Sequence, residues 1–395
     1  MQKTGSALRW SLIATTAILA SCGGGGSGSS VGEGTLRMAL TDAPSCGYDH
    51  VYVTVDRVRV HKDGSAGDSS AGWEEIVLAT PKRIDLLALT NGVLEELGET
   101  DLPAGRYSQV RLVLVENTPA QPLANAVQPT GSAEVPLRTP SGQQSGLKLQ
   151  AHFEVAAGQT ADLVLDFDAC RSVVKTGGNG NYNLKPVLSL AQRIQTGVQG
   201  YVSTTMTLSG TQVSAQQNGT VVRSTVPDST GKFVLPFLPA GNYDIVITST
   251  GRATAVITGV PVTTTGTTSV NASGSAILPP TSTMRDAGGK TYAGAGTTTL
   301  ATDAEVAASQ ALTGGPTVLI ARTPVDATLA TWTLSLPAAA PVKAAYATSG
   351  TLNFQADTAV AGKYALKASA PESDPVTLDT DLSTANQTVD FHFAP

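Results

Sequence analysis

The chain is 395 residues long, enough for two or three domains, yet only 14% of it is charged and its formal net charge is -6. A chain this sparse in charge carries no basic stripe to track phosphates, so nucleic acid is not an expected partner. With 40 glycines and 22 prolines, and no long segment of helical period, it reads as a mostly-β protein of short strands joined by turns.

Residues 1–21 have the form of a lipoprotein signal peptide. Met1 to Arg9 carries Lys3 and Arg9 and no acid, and Trp10 to Ala20 is uncharged and mostly apolar. That run is too short to span a bilayer, which takes about 20 apolar residues, so it targets export and is then cleaved. Leu19-Ala20-Ser21-Cys22 resembles the bacterial lipobox. The resemblance implies that Cys22 becomes the acylated N-terminus, carrying palmitate-type chains. By the same resemblance, Gly23 stands where an aspartate would signal inner-membrane retention, which implies a bacterial outer-membrane, lipid-anchored location, periplasmic or surface-facing. Several acyl chains hold a protein to a bilayer durably where one does not. Residues 22–33 then form a Gly/Ser tether, a flexible coil whose ends lie roughly 20 Å apart.

A β-rich domain is expected over 34–196. In Thr35 to Thr41, Leu36, Met38 and Leu40 alternate with Arg37, Ala39 and Thr41, the pattern of a half-buried strand. A turn follows at Asp42 to Ser45. Val51, Val53 and Val55 share one parity and Val58 and Val60 the other, which predicts a β-bulge near Asp56 and Arg57. Further strands are expected at Gly72–Leu78, Tyr107–Glu116, Thr160–Phe167 and Tyr182–Ile194, with a short helical turn in Ile84–Leu89. The segments TDAP (Thr41 to Pro44), VYVTVDRVRVH (Val51 to His61), IDLLALTNG (Ile84 to Gly92), LPAGRYSQVRL (Leu102 to Leu112) and the run from Leu163 to Val187 resemble a domain family of unknown function typical of proteobacterial lipoproteins. That resemblance brings a membership and no activity.

Over 197–275 the pattern is more familiar. Asp228 and Gly231 make a turn, Phe233 and Leu235 continue a strand, and Pro239 to Gly241 turn into Tyr243, Ile245 and Ile247. Through Gly200, Val202, Val213, Gly231, Phe233, Leu238, Pro239, Gly241, Tyr243 and Gly251 the segment resembles the carboxypeptidase-regulatory-like module, a transthyretin-like β-sandwich of the carbohydrate-binding-like fold group. Arg252 departs from the pattern, which has an aromatic there. LPAGRY at Leu102 to Tyr107 echoes LPAGNY at Leu238 to Tyr243, two turns of one kind that each precede an alternating strand.

The remainder, 276–395, is read as a diverged β-domain with strands at Thr317–Arg322, Leu329–Leu336, Lys363–Ala368 and Thr388–Phe393. The whole is thus expected as tandem antiparallel β-sandwich-type domains behind a cleaved signal and a tether.

Chemistry is sparse. The histidines, His50, His61, His152 and His392, have no zinc-binding spacing, and no G-x-S-x-G elbow presents a serine. Ala287 to Thr291 (AGGKT) imitates the end of a phosphate loop without its flanking glycine, strand or helix. With Cys22 lipidated, Cys46 and Cys170 are left as a disulfide pair suited to an oxidising compartment. Asp42, Asp166 and Asp168 form an acidic constellation, in which Asp166 and Asp168, on the face opposite Phe167, are the candidate site for calcium, a hard cation. Against this stands the simpler reading of strand-end acids capping turns. Trp73 and Trp332 are the candidate sugar-stacking platforms. No catalytic residue and no obligate cofactor is expected. Two functions follow: a non-catalytic envelope lipoprotein whose sandwiches bind or organise envelope components, polysaccharide or another envelope protein among them; or a hydrolytic enzyme or accessory subunit using acids of the first domain.

Overall fold

The computed structural model describes residues 32–42, 47–140, 146–178, 180–349 and 351–394. Gly32–Pro395 forms one compact unit, mostly β, built on three hydrophobic cores.

The first core lies between two sheets. A four-stranded sheet runs in the order Leu188–Gln192, Thr160–Phe167, Glu33–Asp42, Glu95–Pro103. The larger sheet is centred on the long strand Tyr48–His61. Leu36, Met38 and Leu40 are fully buried, as the alternation predicts. Ala39 and Thr41 are buried too, contrary to a half-exposed strand; at Thr41 the Leu86–Val93 loop crosses the outer face, where the Thr41 hydroxyl donates to the Leu89 and Val93 carbonyls at 3.0 and 3.1 Å. Tyr48–His61 shifts register between Val55 and Arg57 against both of its long neighbours. That bulge lets Val51, Val53, Val55, Val58 and Val60 all point inward. Ile84–Leu89 holds a single 3-10 turn, Leu86–Ala88, whose Leu87 amide donates to the Asp85 carboxylate. The expected strand Tyr182–Ile194 is instead two, Asn181–Leu184 and Leu188–Gln192, placed in different sheets. Pro186 lies between them; lacking an N–H, it cannot continue a ladder.

The second core fills a sandwich. A three-stranded sheet of Lys232–Pro236, Thr196–Tyr201 and Gly266–Ser269 faces a six-stranded one containing Thr211–Gln217, Gly241–Ser249 and Ala255–Val262. Gly231 has φ +80°, and a Cβ there would sit 2.1 Å from the Val202 carbonyl oxygen, so the turn requires glycine. The six-stranded sheet is completed from far along the chain, by Val342–Ala345 pairing parallel with Ala255–Thr258 and by Gln355–Ala356 beyond it. This module's edge is therefore supplied by residues beyond Ser275.

The third core is enclosed by two four-stranded sheets, one on Met284–Tyr292 and Thr331–Pro337, the other on Glu305–Ala311, Thr317–Pro324, Lys363–Ser369 and Val376–Asp381. Val246 and Val256 belong to this core, whereas Ile245, Ile247 and Ile257 belong to the second. The six-stranded sheet is thus buried on both faces, which explains why Ile245-Val246-Ile247 is continuously apolar rather than alternating. The phosphate-loop imitation lies inside the extended strand Met284–Tyr292, where a Cβ on Gly289 would meet the Val389 carbonyl at 2.0 Å.

Candidate functional site

The acids singled out in the sequence lie where the three modules meet. Thr160–Phe167 brings Asp166 to the end of its strand, and its carboxylate pairs with Arg223 of the second module, both side chains largely buried. Two residues on, Asp168 begins the four-residue helix Ala169–Ser172 and accepts from the Arg171 amide at 3.1 Å. Asp42, 4% exposed, accepts from the Ala169 amide at 2.9 Å. So Asp42 and Asp168 serve the orphan amides of one helix start, and Asp166 serves a cation. Burial raises the Asp168 pKa, with Asp166 adding repulsion, against the lowering pull of the Arg171 amide and of the Arg322 and Arg171 charges. The expected calcium pair is resolved into a cap and an ion pair. Among the described residues no three His, Cys, Asp or Glu side chains gather as a metal site.

The junction carries further pairs that single-sequence reading did not find. Arg171 forks onto Glu305 of the third module at 2.6 and 3.3 Å, and Lys185 pairs with Asp303. Asn91, with φ +60°, inserts into the second module, its Oδ1 accepting from the Val234 amide and its Nδ2 donating to the Lys232 carbonyl. Gln216 exchanges two 2.8 Å bonds with the Leu319 backbone across the second and third modules. Each partner of these pairs is unremarkable in sequence, and they lie 103 to 143 positions apart.

Arg322 stands amid this network and differs from its neighbours. Among the described residues its side chain makes no hydrogen bond or ion pair; burial, then the Arg171 charge, lower its pKa, while Glu305 and Asp168 oppose them. Two cavities flank its strand. One, of about 610 Å³, lies between Arg171, Asn183, Lys185, Asp303 and Glu305 over an apolar floor. The other, of about 300 Å³, is lined by Tyr48, Cys170 and Lys175 from the first module and by Arg322, Asp326 and Trp332 from the third.

The tryptophans do not form open platforms. Trp332 is 3% exposed and tilts against Phe391 in the third core, 5.7 Å between centroids, so the alternation of its strand turns it inward. Trp73 is half-buried, with the Arg59 and Arg111 guanidinium carbons 4.5 and 4.6 Å from its ring and His61 beside it. Its indole N–H donates to the Gly67 carbonyl at 2.9 Å. Cations therefore occupy the ring surface that a sugar would need. Cys170 is disulfide-bonded; Cys46 and the lipidation residue Cys22 lie outside the described residues.

These features define a class: a β-rich, multi-module protein whose modules are locked by polar contacts. Its domains can be stated more closely. Residues 33–186 match the family model described as domain of unknown function (DUF4382), and residues 197–273 match the carboxypeptidase regulatory-like domain, so the chain carries these two domains in tandem. Curated proteins give no match. Among solved structures, a type II cohesin–X-dockerin complex from Acetivibrio cellulolyticus, an N-terminal interface mutant, is similar at 30% identity over 22% of this chain and 58% of that one, with a TM-score of 0.18. This chain therefore spans less than two thirds of that relative's length. The Bacillus anthracis TIE protein is 12% identical over 92% of this chain and 51% of that one, TM-score 0.19. The major pilin SpaA of Corynebacterium diphtheriae is 12% identical over 92% and 100%, TM-score 0.20.

Proposed function

We propose that this is a non-catalytic cell-envelope lipoprotein. Acylated Cys22 anchors it in the outer membrane, the tether of residues 22–33 holds it off the bilayer, and its β-modules bind or organise envelope components, with polysaccharide and other envelope proteins as the candidates. The observation that carries this reading is that the modules spend their chemistry on one another. Asp42 and Asp168 cap a helix, Asp166 and Glu305 are paired with arginines, and the two tryptophans are covered. A body fixed in this way suits presentation of a surface better than turnover in a cleft, and the carboxypeptidase regulatory-like domain supports a binding role.

Two measurements test it. Labelling of growing cells with a palmitate analogue should mark the wild-type chain and leave Cys22→Ala unmarked; an unmarked wild type overturns the lipid anchor. Co-sedimentation of the chain with insoluble cell-wall and capsular polysaccharides, with calcium and with chelator, should give saturable retention that soluble polymer competes away. No retention on any polymer overturns the carbohydrate reading, and calcium-dependent retention would return Asp166 and Asp168 to a metal role.

A further inference from the structure

We propose that the 300 Å³ cavity between the first and third modules binds a compact oxyanion, a carboxylate or phosphate group, held by Arg322 and Lys175 beside Trp332. Three observations converge on it.

The first is an imbalance of donors. The Arg322 side chain is partly buried and makes no hydrogen bond or ion pair among the described residues. It lines the cavity together with Trp332. A guanidinium stays charged at any physiological pH, and a buried donor left unmatched is costly. An acceptor with two or more oxygens answers it, because the guanidinium fork fits a carboxylate or phosphate edge.

The second is that the nearby acids are already engaged. Asp326 also lines the cavity, but its Oδ1 accepts from the Thr328 and Leu329 amides at 2.8 Å each and from the Gly177 amide at 3.1 Å. Glu305 is forked by Arg171, and Asp168 caps its helix with its pKa raised by burial. Lys175 supplies a second cation from the opposite module, exposed at the rim, making no side-chain hydrogen bond or ion pair among the described residues though its charge acts on Asp326.

The third is placement. Lys175 and Arg322 belong to different modules, tied nearby by the Ala327 amide donating to the Lys175 carbonyl at 2.9 Å. A bound oxyanion would bridge the two, so occupancy would be felt as coupling between them.

The test uses the full chain carrying Trp10→Phe and Trp73→Phe, which leaves Trp332 as the one tryptophan. Its emission is titrated with inorganic phosphate and, separately, with glucuronate, at constant ionic strength against chloride. A saturable change with either probe is expected; phosphate alone, glucuronate alone or both would each support the site and identify the group it prefers. Arg322→Gln should weaken the apparent affinity about tenfold, the loss of one charge-assisted contact, with Arg322→Lys between it and the parent and the exposed Arg106→Gln unchanged. Should Arg322→Gln fail to fold, Lys175→Gln carries the same comparison. No response to either anion, or a response that persists undiminished in Arg322→Gln and Lys175→Gln, overturns the proposal.

Discussion

Arg223 of the carboxypeptidase regulatory-like domain reaches across to Asp166 of the first domain, and the two side chains are 8% and 15% exposed. Removing one member of a buried pair strands the other, which costs about 3–5 kcal/mol, whereas replacing both with apolar groups of similar volume is often neutral. Asp166→Ala and Arg223→Ala should each lower the thermal midpoint sharply and separate the melting of the modules. Asp166→Leu with Arg223→Met should recover most of the loss. Calorimetry of the four proteins decides this, and single variants that melt like the parent would show the pair to be idle.

Tyr107 and Tyr243 fold as one device. Each hydroxyl donates to the carbonyl of a proline four residues earlier, Pro103 at 2.9 Å and Pro239 at 2.8 Å, and both rings are buried. Tyr107→Phe and Tyr243→Phe should each cost about 1–2 kcal/mol in chemical denaturation, the loss of a bond that leaves a carbonyl poorly matched. No measurable cost at either position would mean that water satisfies the carbonyl.

Trp332→Ala should destabilise by about 3–5 kcal/mol, the cost of a large cavity in the third core. Trp73→Ala should cost only about 1–2 kcal/mol, mostly its contacts with Arg59 and Arg111. Polysaccharide retention should survive Trp73→Ala under conditions where the variant is folded. Loss of retention without loss of stability would make Trp73 a sugar contact after all.

Asp228 gives a pH-dependent prediction. Burial alone would lift its carboxyl, but the Thr230 hydroxyl and amide and the Lys232 amide outweigh that and hold it below its ordinary 3.8. Because the folded pKa is depressed, the stabilisation is present above the unfolded pKa and is lost as pH falls through the folded one. Solvent screens this exposed turn, so Asp228→Ala should cost only about 1 kcal/mol at neutral pH. The gap to wild type should close below about pH 4. Urea titrations at neutral and acid pH measure it; a gap that is constant or widens on acidification would contradict the assignment.

Local pattern determined much of this protein. Valine parity around Asp56 announced the bulge, the turn residues from Asp228 to Gly241 announced the second module, and the shared LPAG-x-Tyr motif announced two equivalent corners, because turns and bulges are decided by neighbours in sequence. Alternation also carried the inward face of the opening strand. It failed where a second layer arrived from elsewhere: Thr41 is buried by a crossing loop, and Val246 and Val256 by the third core. The roles of Asp166, Asp168, Trp73 and Trp332 were decided by tertiary structure alone. A carboxylate is a ligand, a cap or half of an ion pair according to what lies within about 3 Å, and Arg223 lies 57 residues from Asp166. Residue type fixed which atoms each side chain brought; the meeting of three modules fixed what those atoms were spent on.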